Sequence, residues 1–319
     1  MRITIIGCGR WGSLIGWYLD TLGHSVTLYG RAGSKHMQRF LAERRNDLLQ
    51  LGDGIRLTTE IGEVLDADIL ILAVGAQSLR DVCRSMHACG LQNGRIVLCM
   101  KGLEKGTGKR LTEIVADELD SSNRVAVWLG PGHVQDFYAG IPSCMVIDSA
   151  DASLKQELID AFSGPLIRFY FGQDLIGNEI GAAAKNVIGI GAGMLDGSGM
   201  STLKGPLMSR GTREIARLIR AAGGSELSAY GLCHLGDYQA TLFSPYSHNR
   251  AFGEAFVKHE PYTELAEGYD TVQALMVLAD RYGVELPICS AVYDVLFREK
   301  SFSDTIEQLF ARTLKHEFR

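Results

Sequence analysis

One lysine lies in a segment that is otherwise composed of small and apolar residues. In GAAAKNVIGIGAG, residues 181–193, only Lys185 and Asn186 carry polar side chains. The positions three and four residues away, which share the face of Lys185 in a helix, hold only glycine, alanine and isoleucine. Either the long side chain extends out of a helix into water, or its ammonium lies in a dry cleft. In a dry cleft its pKa would shift and it could serve in catalysis.

A second candidate site is a glycine-rich turn near the N-terminus. The stretch IIGCGRWG contains Gly7, Gly9 and Gly12 with GxGxxG spacing, between a strand-like run and a helix-like run. Gly7 permits the tight turn, Gly9 lets the backbone approach a pyrophosphate, and Gly12 lets helix and strand pack closely. The helix N-terminus then faces the phosphates. The alternative is a glycine-rich turn without a ligand, and the strand–turn–helix setting favours a dinucleotide site over it.

The end of the second strand-like run bears on which dinucleotide binds. An NAD-binding protein usually carries an acid about twenty residues after the glycine turn, where it accepts a hydrogen bond from the ribose 2′-hydroxyl. The stretch TLYGRAGS has no acid there but contains Arg31, whose guanidinium can bind a 2′-phosphate. We therefore predict NADP rather than NAD. If Arg31 is only a solvated surface charge, NAD serves equally well.

Two kinds of segment alternate in the first half of the chain and must position these residues. Helix-length amphipathic stretches, such as residues 12–22 and 108–119, lie between most of the β-branched runs. This alternation predicts a doubly wound, mostly parallel sheet of Rossmann type over residues 1–175. Helical periodicity dominates afterwards and predicts an all-α domain over residues 176–319. The predicted strands are 2–7, 25–30, 67–75, 94–100, 124–130 and 142–149.

The bulk composition limits the classes of function. The 319 residues include 32 Lys and Arg against 37 Asp and Glu, a net charge of −5, which predicts no nucleic-acid or anionic-membrane partner. The seven cysteines form no CxxC pair and the eight histidines show no metal-ligand spacing, so we expect reduced thiols and no metal. No apolar run is long enough to span a membrane and no signal peptide is evident, so we expect a cytoplasmic protein.

A series of longer motifs extends along nearly the whole chain. It includes GCGRWGSLIG, MKGLEKGTGKRLTEIV, LGPG, GNEIGAAAKNVIGIGAG, LGDYQAT, HNRAFGEAF and GVELPICSAVYDVLF. In this order they resemble the NAD(P)-dependent glycerol-3-phosphate dehydrogenase family of bacterial type. The resemblance implies a two-domain enzyme, usually a homodimer. Such an enzyme reversibly reduces dihydroxyacetone phosphate to sn-glycerol 3-phosphate, the precursor of glycerophospholipid backbones.

The resemblance also implies catalytic roles. The family's catalytic lysine corresponds to Lys185, its companion to Asn186, its second active-site lysine to Lys101, and the acid that orients the catalytic lysine to Asp237. Hydride addition to a ketone leaves an alkoxide, which a positioned ammonium can protonate and stabilise. Burial lowers the pKa of such an ammonium, and a nearby carboxylate raises it again. Asp237 could instead be only a helix N-cap.

Further residues are expected to bind the ligands. The Arg-Asn pair that holds the substrate phosphate in the family corresponds to His248-Asn249 here, followed by Arg250. The expected substrate contacts are Thr241, His248, Asn249 and Gly130. The expected cofactor contacts are Gly7, Gly9, Arg10, Trp11, Gly12, Arg31, Lys101, Arg250 and Glu267.

The sequence departs from the family pattern at several positions. His248 stands where the family has an arginine, and a neutral histidine offers phosphate no permanent charge. Residues 200–202, Met-Ser-Thr, replace a GDN motif and predict changed polar groups near the cleft. His133 and Gly75 are also unlike the family pattern. Two alternatives therefore stay open: a related phosphorylated or acidic keto substrate, and a non-catalytic NAD(P)-binding regulator.

Overall fold

A computed structural model of the chain describes residues 1–314 and 316–317. Its first half is built around an eight-stranded sheet with the order β3-β2-β1-β4-β5-β6-β7-β8. Neighbouring strands are parallel except β6 and β7, which are antiparallel. The strands are β1 Arg2–Ile6, β2 Ser25–Tyr29, β3 Arg56–Thr58, β4 Ile69–Leu72, β5 Arg95–Leu98, β6 Arg124–Leu129, β7 Ser143–Asp148 and β8 Ile167–Phe171.

The predicted fold class is confirmed, and each of the six predicted strands is present. Two strands lay outside the prediction, and both are at the edges of the sheet. β3 has three residues, too few to show a pattern. β8 has the sequence IRFYF, in which Arg168, Tyr170 and Phe171 are exposed. An edge strand is partly open to water, so it lacks the continuous apolar run of a buried parallel strand.

Helices cover both faces of this sheet. Because successive side chains of a strand point to opposite faces, Ile3 and Ile5 of β1 join one apolar core, whereas Ile6 joins a second. Trp128 of β6 is fully buried in the first core. Burial of each large apolar side chain contributes about 1.5–3 kcal/mol. The covering helices are α1 Arg10–Thr21, α2 Lys35–Glu43, α3 Leu79–Ala88, α4 Leu111–Glu118, α5 Val134–Tyr138 and α6 Ala152–Phe162.

The second half is helical and is organised around one long buried helix. This helix, α7, spans Leu175–Gly197 and begins where the Asp174 side chain accepts a hydrogen bond from the Gly177 N–H. Every residue from 177 to 195 is buried, because α7 packs against other helices of this half and also against the sheet at β6. Those that follow are α8 Lys204–Ala221, α9 His248–Val257, α10 Glu267–Tyr282, α11 Pro287–Phe297 and α12 Phe302–Phe310.

The contact between α7 and α9 is unusually close. A Cβ atom added at Gly193 would lie 1.9 Å from the Arg250 carbonyl oxygen, and one at Gly253 would lie 2.1 Å from the Ile190 carbonyl oxygen. Only glycine at these positions lets the two backbones approach so closely. The N-terminal turn of α9 is therefore fixed beside the middle of α7, where Lys185 lies.

The sheet and the helical half meet at a short connection. β8 ends at Phe171 and α7 begins at Leu175, so the predicted domain boundary at 175/176 lies at the start of α7 and stays a prediction. Among the described residues, no helix is long and apolar enough to cross a membrane. The same residues contain no group of His, Cys, Asp and Glu side chains arranged to hold a metal ion.

Candidate active site

A cavity of about 290 Å³ lies between the sheet and the helices of the second half. Its sheet side consists of residues that follow β1, β4, β5 and β6 at their carboxyl ends, which is where ligands bind in this class of fold. Its helical side comes from α7, the N-terminus of α9 and the segment that precedes it. The cleft-lining acidic and basic side chains are Arg10, Lys101, His133, Lys185, Asp237, His248 and Glu267.

The glycine-rich turn forms a cradle at one end of this cleft. Gly7 has a φ of +119°, which a residue with a side chain rarely adopts. A Cβ at Gly12 would lie 1.9 Å from the Gly7 carbonyl oxygen, whereas one at Gly9 would meet nothing within 4 Å. The turn is thus tightly packed on its protein side and open beside Gly9, at the N-terminus of α1. This shape and the helix dipole fit the pyrophosphate of a dinucleotide.

Two predicted cofactor residues flank the cradle. Arg31 is exposed and lies two residues beyond the end of β2, whose Tyr29 carbonyl accepts a hydrogen bond from the Gly7 N–H. Trp11 lines the cavity, and its buried indole N–H has no hydrogen-bond partner among the described residues. Arg31 is therefore open to a nucleotide bound on the turn, and Trp11 forms part of the cavity wall beside it.

Glu267 lies at the opposite wall, at the start of α10. Its Oε1 accepts a hydrogen bond of 3.2 Å from the Ala76 N–H. Burial raises the pKa of this carboxyl to about 7, although the Ala76 N–H acts in the opposite direction. Gly75 is adjacent, and a Cβ there would lie 3.8 Å from Glu267 Oε1. Gly75, which differs from the family pattern, therefore leaves space beside the Glu267 carboxyl group, which is partly protonated near neutral pH.

At the centre of the cleft, two lysine ammonium groups form ion pairs with the same carboxylate oxygen of Asp237. Asp237 Oδ2 lies 2.9 Å from Lys185 Nζ and 2.8 Å from Lys101 Nζ. Lys185 Nζ also donates to Thr241 Oγ1 at 2.7 Å, and Lys101 Nζ donates to the Gly130 carbonyl at 2.6 Å. The Asp237 side chain is 1% exposed and that of Lys185 is 9% exposed. This geometry excludes the interpretation in which Lys185 extends into water.

Burial dominates the ionisation of Lys185. Removal from water lowers the pKa of its ammonium, the Asp237 carboxylate raises it and the charge of Lys101 lowers it, and the net pKa is about 8. A group with this pKa exchanges a proton readily near neutral pH. The neighbouring imidazoles of His133 and His234 are neutral there, because burial lowers both of their pKa values.

Irregular backbone brings Asp237 and Thr241 to the lysines. Asp237 ends a short 3₁₀ turn, Leu235–Asp237, and Thr241 lies in a single π-helical turn, Gln239–Phe243. Such π turns are rare and often occur at functional sites. The Asp237 carboxylate bonds to the two lysines and caps neither turn. The alternative in which Asp237 is only an N-cap is thus wrong.

A chain of side-chain amides connects the walls of the cleft. Asn186 donates from Nδ2 to the Lys101 carbonyl at 2.8 Å, and Asn249 donates to Asn186 Oδ1 at 3.1 Å. Asn249 Oδ1 in turn accepts from the Gly268 N–H at 2.9 Å. The chain links the segment after β5 to α7, α9 and α10. Asn186 and Asn249 therefore fix the relative positions of the groups around them.

His248 occupies the first position of α9 and faces the nucleotide turn. Its Nδ1 lies 2.9 Å from Tyr262 Oη, and its Nε2 is hydrogen-bonded to the Arg10 guanidinium. Burial lowers the pKa of His248, and the charge of Arg10 lowers it further. The imidazole is thus neutral at pH 7, and the permanent charge at this end of the cleft belongs to Arg10.

The structure leaves some sequence-predicted residues outside the cleft. The Arg250 guanidinium pairs with Asp196 at 3.0 Å and Glu254 at 2.9 Å, and its side chain does not line the cavity. Residues 200–202 are also absent from the cavity wall, and Ser201 Oγ bonds to Asp196 Oδ1 at 2.6 Å. The expectation that the Met-Ser-Thr replacement changes polar groups near the cleft is therefore wrong.

Sequence reasoning missed two aromatic residues at the site. Tyr246 lines the cavity and contacts the ring of His133, with centroids 5.6 Å apart. Tyr262 bonds to His248 from a loop between α9 and α10. Neither residue belongs to a segment with a periodic sequence pattern. The one signal for this part of the site was His248, because a histidine in place of the family's arginine requires a different hydrogen-bond partner.

Comparison with known proteins identifies the family. The family model described as NAD-dependent glycerol-3-phosphate dehydrogenase N-terminus matches residues 2–155, and that described as the C-terminus of the same enzyme matches residues 174–307. The chain belongs to the NAD-dependent glycerol-3-phosphate dehydrogenase family. The family resemblance drawn from the motifs is thereby confirmed.

Members of this family are similar to the chain over its whole length. A curated relative from Exiguobacterium, named glycerol-3-phosphate dehydrogenase [NAD(P)+], is 34% identical over 99% of this chain and 97% of its own. One of the same name from Fusobacterium nucleatum is 34% identical over 100% of this chain and 99% of its own. The crystal structure of glycerol-3-phosphate dehydrogenase from Coxiella burnetii superposes with a TM-score of 0.90 at 26% identity, covering 98% of this chain and 99% of that one.

Proposed function

We propose that this protein is an NAD(P)-dependent oxidoreductase that interconverts dihydroxyacetone phosphate and sn-glycerol 3-phosphate. The relatives named above supply the reaction. The observation that carries the proposal is the pair of ammonium groups, Lys101 and Lys185, on one buried oxygen of Asp237. A ketone oxygen that receives negative charge during reduction needs a proton and a positive field, and this arrangement offers both.

The glycine turn and its surroundings would hold the cofactor. When bound, the nicotinamide cofactor supplies the hydride that adds to the carbonyl carbon. Gly7, Gly9 and Gly12 shape the cradle for its pyrophosphate, and Trp11 and Glu267 lie on the walls of the cleft beyond it.

Lys185 acts as the general acid in our proposal. As the carbon gains a hydride, the carbonyl oxygen takes the proton from Lys185 Nζ, and the neutral amine later regains a proton from water. Lys101 stabilises the negative charge that develops on the oxygen. Asp237 holds both ammonium groups in place and limits the fall in the pKa of Lys185 that burial causes. In the reverse direction, neutral Lys185 accepts the hydroxyl proton.

The remaining predicted residues would orient the substrate or select the cofactor. Thr241 accepts a hydrogen bond from Lys185 and would direct its ammonium. Asn186 and Asn249 hold the walls together, and the Gly130 carbonyl anchors Lys101. On the substrate side, we propose that His248 lies beside the substrate as a neutral group whose two ring nitrogens are hydrogen-bonded to Arg10 and Tyr262. On the cofactor side we retain Arg31 as the group that favours NADP.

Several wider features belong to the same proposal. The family resemblance implies a homodimer of two-domain subunits, and we propose this assembly for the chain. We also propose a cytoplasmic location. Arg250 could contact the cofactor only by leaving its ion pairs with Asp196 and Glu254. A regulator without catalysis is disfavoured, because the Lys101–Asp237–Lys185 centre is complete.

One observation supports a second candidate function in the same class. His248 is neutral where the family pattern has an arginine, so a related phosphorylated or acidic ketone could be the preferred substrate. Steady-state oxidation of NADH and NADPH, measured side by side with dihydroxyacetone phosphate and a panel of such ketones, separates the two candidates. We expect the highest kcat/KM for dihydroxyacetone phosphate. A better ketone would replace our substrate assignment, and tight NADPH binding without any turnover would favour the regulator.

A further inference from the structure

Arg10 differs from the other cations of the cleft in having no acidic partner. Lys101 and Lys185 both pair with Asp237. Within residues 1–314 and 316–317, none of the ion pairs involves Arg10, and its guanidinium bonds instead to the His248 imidazole. Arg10 thus brings to the cleft wall a positive charge that forms no ion pair among the described residues, and the nearby Glu264 acts on His248 and Tyr262 through its charge alone. A cation in this state is suited to an anionic ligand.

The hydrogen bonds around His248 fix its tautomer. A guanidinium carries only donors and no acceptor, so His248 Nε2 must accept from Arg10. The proton of the neutral imidazole is then on Nδ1, which donates to Tyr262 Oη at 2.9 Å. A protonated imidazole could not accept from Arg10. The two hydrogen bonds that link Tyr262, His248 and Arg10 can therefore form together only when the imidazole of His248 is neutral. They also direct the Arg10 guanidinium away from the glycine-rich turn.

The direction of Arg10 separates it from the cofactor cradle. Arg10 is the first residue of α1, and His248 is the first residue of α9 on the other side of the cleft. The pyrophosphate cradle uses the backbone of the turn, beside Gly9. The Arg10 side chain instead crosses to α9, next to Asn249 and on the side of the cavity where Lys185 lies.

We propose that Arg10 binds the phosphate of the substrate, and that His248 and Tyr262 are positioning residues that hold it there. This inference rests on the proposed function, since it names the cation that the phosphorylated substrate requires. A guanidinium can give phosphate two parallel charge-assisted hydrogen bonds. Arg10, on the nucleotide turn, thus supplies the charge that His248 cannot.

The first test compares Arg10→Gln with wild type. We expect the KM for dihydroxyacetone phosphate to rise about 10- to 100-fold, as loss of a hydrogen bond to a charged group predicts. The kcat/KM for unphosphorylated dihydroxyacetone should stay within about twofold, because that ketone has no group for Arg10 to bind. The Kd for NADPH, from its fluorescence, should also be unchanged. A weakened NADPH affinity with an unchanged KM for dihydroxyacetone phosphate would assign Arg10 to the cofactor and overturn the inference.

A second test moves the charge from one helix to the other. The double variant Arg10→Gln/His248→Arg carries its guanidinium on α9 instead of α1, and we expect it to recover at least about tenfold of the lost affinity for dihydroxyacetone phosphate. Failure to recover, in a variant that melts at the wild-type temperature, would count against a shared phosphate site. Tyr262→Phe should raise KM several-fold with kcat unchanged. A purely structural tyrosine would lower kcat and the melting temperature instead.

Binding of inorganic phosphate separates this inference from the proposed function. If wild type reduces no dihydroxyacetone phosphate with either cofactor, the proposed function fails, but phosphate can still be titrated calorimetrically into the NADPH complex. Weaker phosphate binding by Arg10→Gln would then support an anion site at Arg10. Equal binding by the two proteins would overturn it. Arg168→Gln, which removes an exposed cation of the edge strand β8 outside the cavity, is the matched control.

Discussion

The two ends of the cleft differ in whether their cationic side chains are paired with an acidic side chain. At the lysine end, two ammonium groups share the buried carboxylate of Asp237, and burial tunes the pKa of Lys185 to about 8. At the arginine end, the Arg10 guanidinium is hydrogen-bonded to the neutral His248, and none of the ion pairs among the described residues involves it; the nearby acid is Glu264, whose charge acts on His248 and Tyr262. If our proposals hold, the protein itself balances the charges that move a proton and leaves the charge that holds an anion for the ligand to balance.

Of the variants considered, replacement of Lys185, the proposed proton donor at the lysine end, should have the largest effect. We expect Lys185→Met to lower kcat by at least about 10³-fold, because both the proton and part of the stabilising charge are lost. The cradle is untouched, so the Kd for NADPH should stay at the wild-type value. Single-turnover NADPH oxidation measures the first effect and fluorescence titration the second. Near-normal turnover in this variant would reject the role that we give to Lys185.

Removal of the shared acid should have the next largest effect. In Asp237→Asn the two ammonium groups lose the carboxylate that separates them, and the pKa of Lys185 falls further because its stabilising charge is gone. We expect kcat to fall about 10²-fold and the alkaline limb of the kcat profile for ketone reduction to move to lower pH. An alkaline limb that stayed at its wild-type pH would show that Asp237 does not control Lys185.

The pH dependence of kcat and KM in the wild type should distinguish the lysine end of the cleft from the arginine end. Reduction uses protonated Lys185, so kcat for the ketone should fall as pH rises through about 8, while kcat for alcohol oxidation should rise. The KM for dihydroxyacetone phosphate should stay flat between pH 7 and 9, roughly, because Arg10 keeps its charge and His248 is already neutral. A KM that rose as a histidine lost its proton would instead make His248 the phosphate-binding cation.

The smallest expected effect concerns the choice of cofactor. Arg31 is exposed, so its contact with a 2′-phosphate would be partly screened by solvent. We expect Arg31→Ala to raise the KM for NADPH by about tenfold and to leave the KM for NADH within about twofold. Equal changes for both cofactors would show that Arg31 does not contact the 2′-phosphate.

Much of the fold and of the lysine end could be predicted from the sequence. Buried parallel strands produce continuous apolar runs, and a lysine between alanines and glycines on one helix is visible in the sequence itself. The arginine end was less predictable. Arg10 is an unremarkable residue inside a glycine motif, and its contact with His248 joins positions 238 residues apart. Tyr262 lies in a loop, and the π turn that carries Thr241 has no sequence pattern of its own.

The cleft is also assembled from both halves of the chain. Arg10 and Lys101 follow strands of the sheet, whereas Asp237 and His248 belong to the helical half, so the contacts Lys101–Asp237 and Arg10–His248 both cross the gap. A hinge rotation that widened the gap by roughly 1 Å would lengthen the Lys101–Asp237 contact, now 2.8 Å, beyond hydrogen-bonding distance. An opened molecule would then release its product from a disconnected site, and each turnover would rebuild the reactive arrangement only when the halves close again.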